Sequence, residues 1–181
     1  MHLLPKTLEH VVRAGVLLVL ACHAEAHPEP PSERATPYLN RTSGTLRIDS
    51  RLVETVEEAR RRSPTFRDQW NRLTRERSLV LVIQCVHPDR LGGVRGKSRI
   101  DVDEERRLIA TIVVSPSSRV VEVLAHELEH VMERLDGVRV DDVYGKGDPS
   151  VHRNGDGHET RRARLVGQRA WKEFRARPET P

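Results

Sequence analysis

The sequence predicts an α+β fold in which a short sheet packs on one central helix, with further helices around it. Two apolar runs rich in β-branched residues, Leu79 to Val86 and Arg106 to Val114, are typical of buried strands. Between Val121 and Leu135, apolar residues instead recur every three or four positions, which is the period of a helix with one buried face. Signals of both kinds in one chain favour the mixed class over an all-α or all-β fold.

Shorter signals predict the elements before the first apolar run. The segment from Thr45 to Asp49 alternates apolar and polar residues, as a short strand does. Residues at helical spacing then predict a helix that ends at Arg62, and Pro64 begins a second one, because proline fits the first turn of a helix. The apolar positions of these two helices are Leu52, Val53, Val56, Ala59, Phe66, Trp70 and Leu73.

The central helix and the final helix have start signals of their own. Ser115 as N-cap with Pro116 after it predicts the start of the central helix, and Gly137 marks its end. The stretch from Pro88 to Ser98 is rich in turn residues and predicts a connection between strands. A final helix is expected to start near Asp156, after a polar, glycine-rich stretch. Its buried face is expected to contain Ala163, Val166, Ala170 and Phe174.

The N-terminus has the pattern of an export signal. Lys6 and Arg13 precede an apolar run at residues 14–21 that is too short to span a bilayer. The small residues of Ala24-Glu25-Ala26 follow it as a cleavage site. Together they predict a signal peptide over residues 1–26 and a protein exported to the periplasm, the cell envelope or the medium.

The rest of the chain is expected to contain one linker and one folded domain. Residues 27–43 are rich in proline and predict the linker, and residues 44–181 predict the domain. An alternative to cleavage is lipidation, since Val-Leu-Ala-Cys22 resembles a bacterial lipobox and would tether the domain to a membrane through Cys22. Cys85, in the first apolar run, is predicted to be a buried and inert thiol.

Charge restricts the partners that the sequence predicts. Charged residues make up 32% of the 181 residues and the net charge is +4. The arginines are spread along the chain among glutamates, which is typical of solvated helix faces and predicts no nucleic-acid partner. A different interpretation is a cationic protein that docks on anionic polymers through its Arg-rich helices. The sequence carries no signal for an oligomeric state.

The central helix contains the segment His126-Glu127-Leu128-Glu129-His130, which follows the pattern H-E-x-x-H. Four residues are a little more than one helical turn, so the two imidazoles project from one face and can bind one Zn²⁺. Glu127 follows the first histidine and can act on a water at the metal as general base. The pattern predicts a zinc site with His126 and His130 as ligands and Glu127 as the catalytic residue.

A catalytic zinc takes three protein ligands and keeps one position open, so a third ligand is required. Glu159 is the first candidate, because it stands four residues before Ala163, at the head of the apolar face of the final helix. A carboxylate at such a place is costly to bury unless it is paired or binds a metal. The competing interpretation is a capping box, in which Asp156 caps the helix and Glu159 is its third residue.

Four other residues are candidates for roles at the zinc. Asp136 stands where some H-E-x-x-H-x-x-G-x-x-H/D enzymes place their third ligand, but Glu133 occupies the position of the glycine that ends the helix in those enzymes. His152 and His158 lie in a predicted loop, which can deliver a ligand or a group that stabilises a developing oxyanion. Tyr144 can serve the same stabilising role. The residues alone leave these alternatives open.

The segment from Val123 to Glu133, followed by Glu159-Thr-Arg-Arg-Ala163, resembles the gluzincin-type zincin metallopeptidases. The resemblance covers about residues 79–176 in layout, and specific residues only in two helices. In that clan the two motif histidines and a glutamate on a following helix bind zinc, and the motif glutamate is the base. The resemblance implies a zincin-like fold with Zn²⁺ as cofactor. The implied metal ligands are His126, His130 and Glu159, and the implied base is Glu127.

The function implied by this resemblance is that of a secreted or envelope zinc peptidase acting on peptides or proteins. An extended substrate peptide is expected to pair with the strand from Arg106 to Val114, as peptides do at sheet edges. The alternative is a non-catalytic exported protein of the same fold, which binds zinc structurally or serves in an interaction.

Overall fold

The computed structural model describes residues 45–140, 149–154 and 157–176. Within them the protein has small sheets and four α-helices, so the predicted α+β class is confirmed. The signal peptide and the linker predicted for the N-terminus lie outside the described residues, and so do Tyr144 and Asp156. Among the helices of the described ranges, none is long and apolar enough to cross a membrane.

Four strands form the main sheet, in the order β1-β2-β4-β3. Strand β2 pairs in parallel with β1 and with β4, whereas β3 pairs antiparallel with β4. Alternate residues of the two central strands, such as Ile83 and Ile112, are fully buried, so one face of the sheet packs in the core. The strands are β1 (Thr45–Ile48), β2 (Leu79–Cys85), β3 (Gly96–Val102) and β4 (Leu108–Val114).

The position of β4 contradicts the predicted peptide-binding edge. The strand predicted from Arg106 to Val114 lies inside the sheet, hydrogen-bonded to β2 on one side and to β3 on the other, so its edges are not available to a peptide. The edge strands of the described sheet are β1 and β3, and the first residues of β3, Gly96 to Ser98, are predicted as a turn. Its glycine and alternating polar residues suit an exposed edge strand, and that composition resembles a turn in the sequence.

The first two helices follow their sequence signals. Helix α1 (Ser50–Arg62) is capped by Asp49, whose side chain accepts a hydrogen bond of 3.0 Å from the Arg51 N–H. Helix α2 (Pro64–Arg75) is capped by Ser63, whose hydroxyl accepts from the Phe66 N–H at 3.0 Å. The predicted helix end and helix start at Arg62 and Pro64 are confirmed.

The central helix, α3 (Val120–Leu135), begins four residues after its predicted start. Ser115 does not cap it, because the Ser115 N–H donates to the Arg95 carbonyl at 2.9 Å and continues the pairing of β4 with β3. Arg119 is the N-cap and makes no side-chain capping bond. The helix ends before Gly137, whose φ of +82° is the left-handed conformation that favours glycine, as predicted.

The final helix starts later than predicted, and a hairpin precedes it. Strands β5 (Val151–Asn154) and β6 (Gly157–Thr160) pair antiparallel, and helix α4 (Arg161–Arg175) follows β6 directly. The cap of α4 is Thr160, whose hydroxyl accepts from the Ala163 N–H at 3.0 Å. Glu159 therefore lies on a strand, one residue before the cap. The predicted capping box, with Glu159 inside the helix, is wrong.

The helices pack together on the buried face of the sheet and enclose one apolar core. Helix α4 buries Ala163, Gly167 and Ala170, while the predicted core positions Val166 and Phe174 are half-buried. The thiol of Cys85 is free and buried, as predicted. The largest fully buried side chains are those of Phe66, Ile83, Ile112, Leu124 and Leu128.

Candidate metal centre

Helix α3 presents its two histidines on the side that faces α4. The Nε2 atoms of His126 and His130 lie 3.2 Å apart, and the ring centroids lie 4.9 Å apart. The apolar stripe of the same helix, including Leu124 and Leu128, is fully buried in the core. The apolar residues and the histidines of α3 lie on different faces of the helix. One face therefore packs in the core, and another brings two imidazole nitrogens together.

The third candidate ligand approaches from the β6 hairpin strand. The Oε2 atom of Glu159 lies 3.5 Å from the Nε2 atom of His126. Donor atoms at about 2.0–2.1 Å from a tetrahedral zinc stand about 3.3 Å from one another, so both this contact and the one between the histidines have the right order of length. In the described ranges, no group of three or more His, Cys, Asp or Glu side chains is arranged to hold a metal ion. The observed geometry is therefore two contacts that share His126, one with His130 and one with Glu159.

The two histidines have opposite pKa shifts. Burial, helped by His130 and opposed by Glu133, lowers the pKa of His126 to about 4. Burial acts against protonation of His130 as well, but its hydrogen bond to Glu133 and the charges of Glu127, Glu133 and Glu159 outweigh it and raise the pKa of that ring. His126 is consequently neutral at pH 7, which is the form that binds metals, and His130 lies among carboxylates that favour a cation nearby.

Glu127 lies against the edge strand of the sheet. Its side chain is buried, with the residue 6% exposed, and burial raises the pKa of its carboxyl group, helped by the charge of Glu159. The charge of His130 and a hydrogen bond from Ser98, on β3, act in the opposite direction. A methyl group on Gly96 would lie 3.3 Å from Glu127 Oε1 and would overlap Val123. Glycine at this position lets β3 pass close to the carboxylate.

A second buried carboxylate, that of Glu133, contacts both His130 on α3 and Thr160 on the hairpin. Its Oε2 atom lies 2.9 Å from Nδ1 of His130, and its Oε1 atom accepts a hydrogen bond of 2.7 Å from the Thr160 hydroxyl. The residue type of Glu133 does not predict this role, because a buried glutamate and an exposed one look alike within a charged helix. The spacing of three residues from His130, one helical turn, is the only feature that indicates a contact.

Helix α4 approaches α3 closely at the level of the first histidine. A methyl group on Gly167 would lie 2.8 Å from the carbonyl oxygen of Glu122 and 3.1 Å from Cβ of His126. Real Cβ atoms do not approach a backbone oxygen so closely, so glycine is required for this packing. The approach places the start of α4, and the hairpin before it, beside the candidate ligands.

A network of polar side chains secures the same two helices further along. Glu129 is buried and accepts hydrogen bonds of 2.6 Å from Gln69 on α2 and of 2.6 Å from Arg162 on α4. Arg162 also donates to Asp136 at 2.8 Å, and Arg72 donates to the other oxygen of that carboxylate. These contacts tie the first turn of α4 to the end of α3.

The other candidates of the sequence analysis lie away from the converging donors or cannot be placed. Asp136 pairs with two arginines, whose hydrogen bonds lower the pKa of its carboxyl group, and it is the C-cap of α3. His158 precedes Glu159 on β6, and neighbouring residues of a strand project to opposite faces. The backbone of His152 pairs with that of Glu159, but its side chain lies outside the described residues, as does Tyr144.

A cavity of about 600 Å³ lies elsewhere on the same helix pair. It is lined by Ser118 and Arg119, at the start of α3, and by Trp171 and Arg175, near the end of α4. None of the candidate ligands lines it. The converging donors therefore do not belong to this cavity.

Comparisons with protein-family models, curated proteins and solved structures found no match. The function is accordingly inferred from the residues of the site and their geometry.

Proposed function

We propose that this protein is an exported zinc-dependent peptidase that hydrolyses peptide bonds beside α3. The observation that carries the proposal is the convergence of His126 with His130 and with Glu159, at 3.2 Å and 3.5 Å between donor atoms. Two imidazole nitrogens and one carboxylate oxygen are a donor set that catalytic zinc takes, and it leaves a fourth position for water or substrate.

The residues that would hold the ion are His126, His130 and Glu159. When bound, Zn²⁺ supplies a Lewis acid that polarises a carbonyl oxygen and lowers the pKa of water. The three donors are partly buried, with 11–19% of each side chain exposed, and this supports the assignment because imidazole and carboxylate groups withdrawn from water need partners. Glu159 reaches the histidines from the strand before α4, whereas gluzincins carry this ligand on a helix, so the proposed centre is zincin-like in its donors and differs in how the third one is delivered.

Glu127 is the proposed general base. Its carboxylate takes one proton from the attacking water, whose oxygen forms a bond to the peptide carbonyl carbon. The carboxyl group then gives this proton to the amine nitrogen as the C–N bond breaks. Burial raises the pKa of Glu127, and this direction supports the role, because the carboxyl group must hold a proton between the two steps.

The proposed place for the substrate is the outer edge of β3. Within the described sheet this strand pairs on one side only, and it passes Glu127 at Gly96 and Ser98. An extended peptide that adds a strand there would form main-chain hydrogen bonds with β3 and bring its carbonyl groups towards the base. Export of the protein is proposed from the signal-like pattern of residues 1–26.

The test combines metal analysis with peptide hydrolysis on the full-length protein. We expect about one zinc per chain, which His126→Ala abolishes. We expect cleavage of a mixture of fluorogenic peptides by the wild type, and Glu127→Gln should reduce it by a factor on the order of 10²–10⁴ while zinc is retained.

Three outcomes would contradict the proposal in different ways. Absence of zinc from the wild type would overturn the metal site. Zinc without cleavage of any peptide in the mixture would favour the alternative of a non-catalytic zinc-binding protein. Cleavage that survives Glu127→Gln would show that the base is a different group.

A further inference from the structure

We propose that Glu133 is a positioning residue that holds two of the three candidate zinc ligands in register through a single carboxylate. The inference rests on the proposed function, since it concerns the same metal centre. Its two oxygens make different contacts: Oε2 with Nδ1 of His130 at 2.9 Å, and Oε1 with the hydroxyl of Thr160 at 2.7 Å. One contact acts on a ligand directly, and the other acts on the backbone next to a ligand.

The contact with His130 determines which ring nitrogen is available to a metal. When Nδ1 of His130 donates its hydrogen to the carboxylate, the lone pair of the imidazole is on Nε2. This Nε2 atom lies 3.2 Å from Nε2 of His126. A carboxylate behind a metal-binding histidine sets the tautomer, orients the ring and raises its basicity. Glu133 is 2% exposed, so water does not compete for this bond.

The contact with Thr160 positions the third ligand through the chain. Thr160 follows Glu159 directly and caps α4 by accepting from the Ala163 N–H, so its hydroxyl both donates to Glu133 and accepts from the helix. The residue is 4% exposed. The junction between β6 and α4 is thereby tied to α3 at the carboxylate that orients His130. The backbone of Glu159 cannot move away from α3 without breaking this bond or bending the junction.

Glu129 provides a matched control on the same helix. It lies four residues before Glu133, one turn away, and is also buried. It also accepts two side-chain hydrogen bonds, from Gln69 and Arg162, but neither donor is a candidate ligand. A variant of Glu129 removes a buried charge and hydrogen bonds between helices, but it changes no contact of a candidate zinc ligand.

The experiment measures zinc affinity of the full-length protein by competition with a chelating dye. We expect Glu133→Gln to weaken zinc binding by about 10- to 100-fold, the usual effect of losing such a partner, and Glu129→Gln to change it by less than about 3-fold. Cobalt loaded in place of zinc should show a changed visible spectrum in Glu133→Gln only, because the position of the histidine changes.

A second pair of variants tests the other oxygen and does not remove a buried charge. Thr160→Val deletes the hydroxyl and is expected to weaken zinc binding by about 10-fold or more, whereas Thr160→Ser keeps the hydroxyl and should restore the wild-type affinity. This pair remains informative even when Glu133→Gln does not fold. Thermal unfolding without metal identifies the folded variants.

The outcomes separate this inference from the proposed function. A wild-type protein that binds no zinc overturns both. Zinc binding by the wild type with equal weakening in Glu133→Gln and Glu129→Gln, or with equal affinity in Thr160→Val and Thr160→Ser, overturns only the positioning role of Glu133.

Discussion

The contacts of α2 are mainly apolar, whereas the contacts between α3 and α4 include several polar and charged groups that are buried or nearly buried. Helix α2 buries Phe66, Trp70 and Leu73 against the core. Between α3 and α4 the buried or nearly buried groups include Glu133 and Thr160, together with the two histidines of the motif. Both regions lie on the same face of the sheet and have helices of similar length.

The two regions contribute differently to the free energy of folding. Burial of apolar area stabilises the fold by about 25 cal/mol per Å², whereas a buried carboxylate costs several kcal/mol before its partners compensate for it. Three buried glutamates in seven residues of α3, Glu127, Glu129 and Glu133, are therefore expensive, and each has a hydrogen-bond partner from another element. The α2 contacts are expected to determine stability, and the α3–α4 contacts to determine what the protein binds.

The largest effect on stability is expected from Phe66→Ala. The ring is fully buried and stacks on Trp70, with 6.0 Å between centroids, so its removal leaves a cavity and should lower the free energy of unfolding by about 3–5 kcal/mol. Denaturant unfolding measures this loss, and the folded fraction should bind zinc with unchanged affinity. Leu165→Ala is the control, since Leu165 on α4 is 47% exposed and should cost less than about 0.5 kcal/mol. Weaker zinc binding by folded Phe66→Ala would show that the two regions are coupled.

A smaller effect on stability is expected from acid, through protonation of His126. Its pKa is about 4 in the folded protein against 6.5 for the free side chain, so the unfolded chain binds a proton that the folded protein does not. Stability should fall as the pH decreases from 6.5 towards 4, by about 3 kcal/mol in all, because one pKa unit corresponds to about 1.36 kcal/mol. The raised pKa of His130 acts in the opposite sense, so the effect is measured as a difference between the wild type and His126→Asn.

Unfolding of the metal-free protein across this pH range provides the measurement. The wild type should lose stability relative to His126→Asn as the pH falls. His87→Asn is the control, because His87 lies on the surface with a side chain that is 73% exposed. Parallel curves of stability against pH for the wild type and His126→Asn would contradict the lowered pKa of His126.

The smallest effect is expected from Ser63→Ala, which removes the cap of α2. The hydroxyl accepts from the Phe66 N–H and donates to Glu173 at 2.7 Å, so its loss should cost about 1–2 kcal/mol of unfolding free energy. Zinc affinity should not change, in contrast to the expectation for the Thr160 cap. Ser78→Ala, at an exposed serine, is the control for thermal unfolding. A change of zinc affinity in Ser63→Ala would mean that any helix cap affects the site.

Features that depend on neighbouring residues are those that the sequence predicts correctly. The start of α2 follows from Ser63-Pro64, and the strands β2 and β4 follow from their apolar runs. The convergence of His126 and His130 follows from their spacing, because residues four apart on a helix share a face. These signals act within one helical turn or one strand, so no knowledge of the packing was needed.

Contacts between residues that are far apart in the chain depend on how the helices and strands pack together. Glu159 and His126 are separated by 33 positions, and their contact depends on the hairpin before α4 and on the close approach that Gly167 allows. The segment of that hairpin is predicted as a loop, because its two strands are four residues long and mostly polar. The partner of Glu133 and the edge position of β3 are likewise set by packing. Burial and pairing of a side chain depend on the residues that pack around it, and these cannot be predicted from the residue type alone.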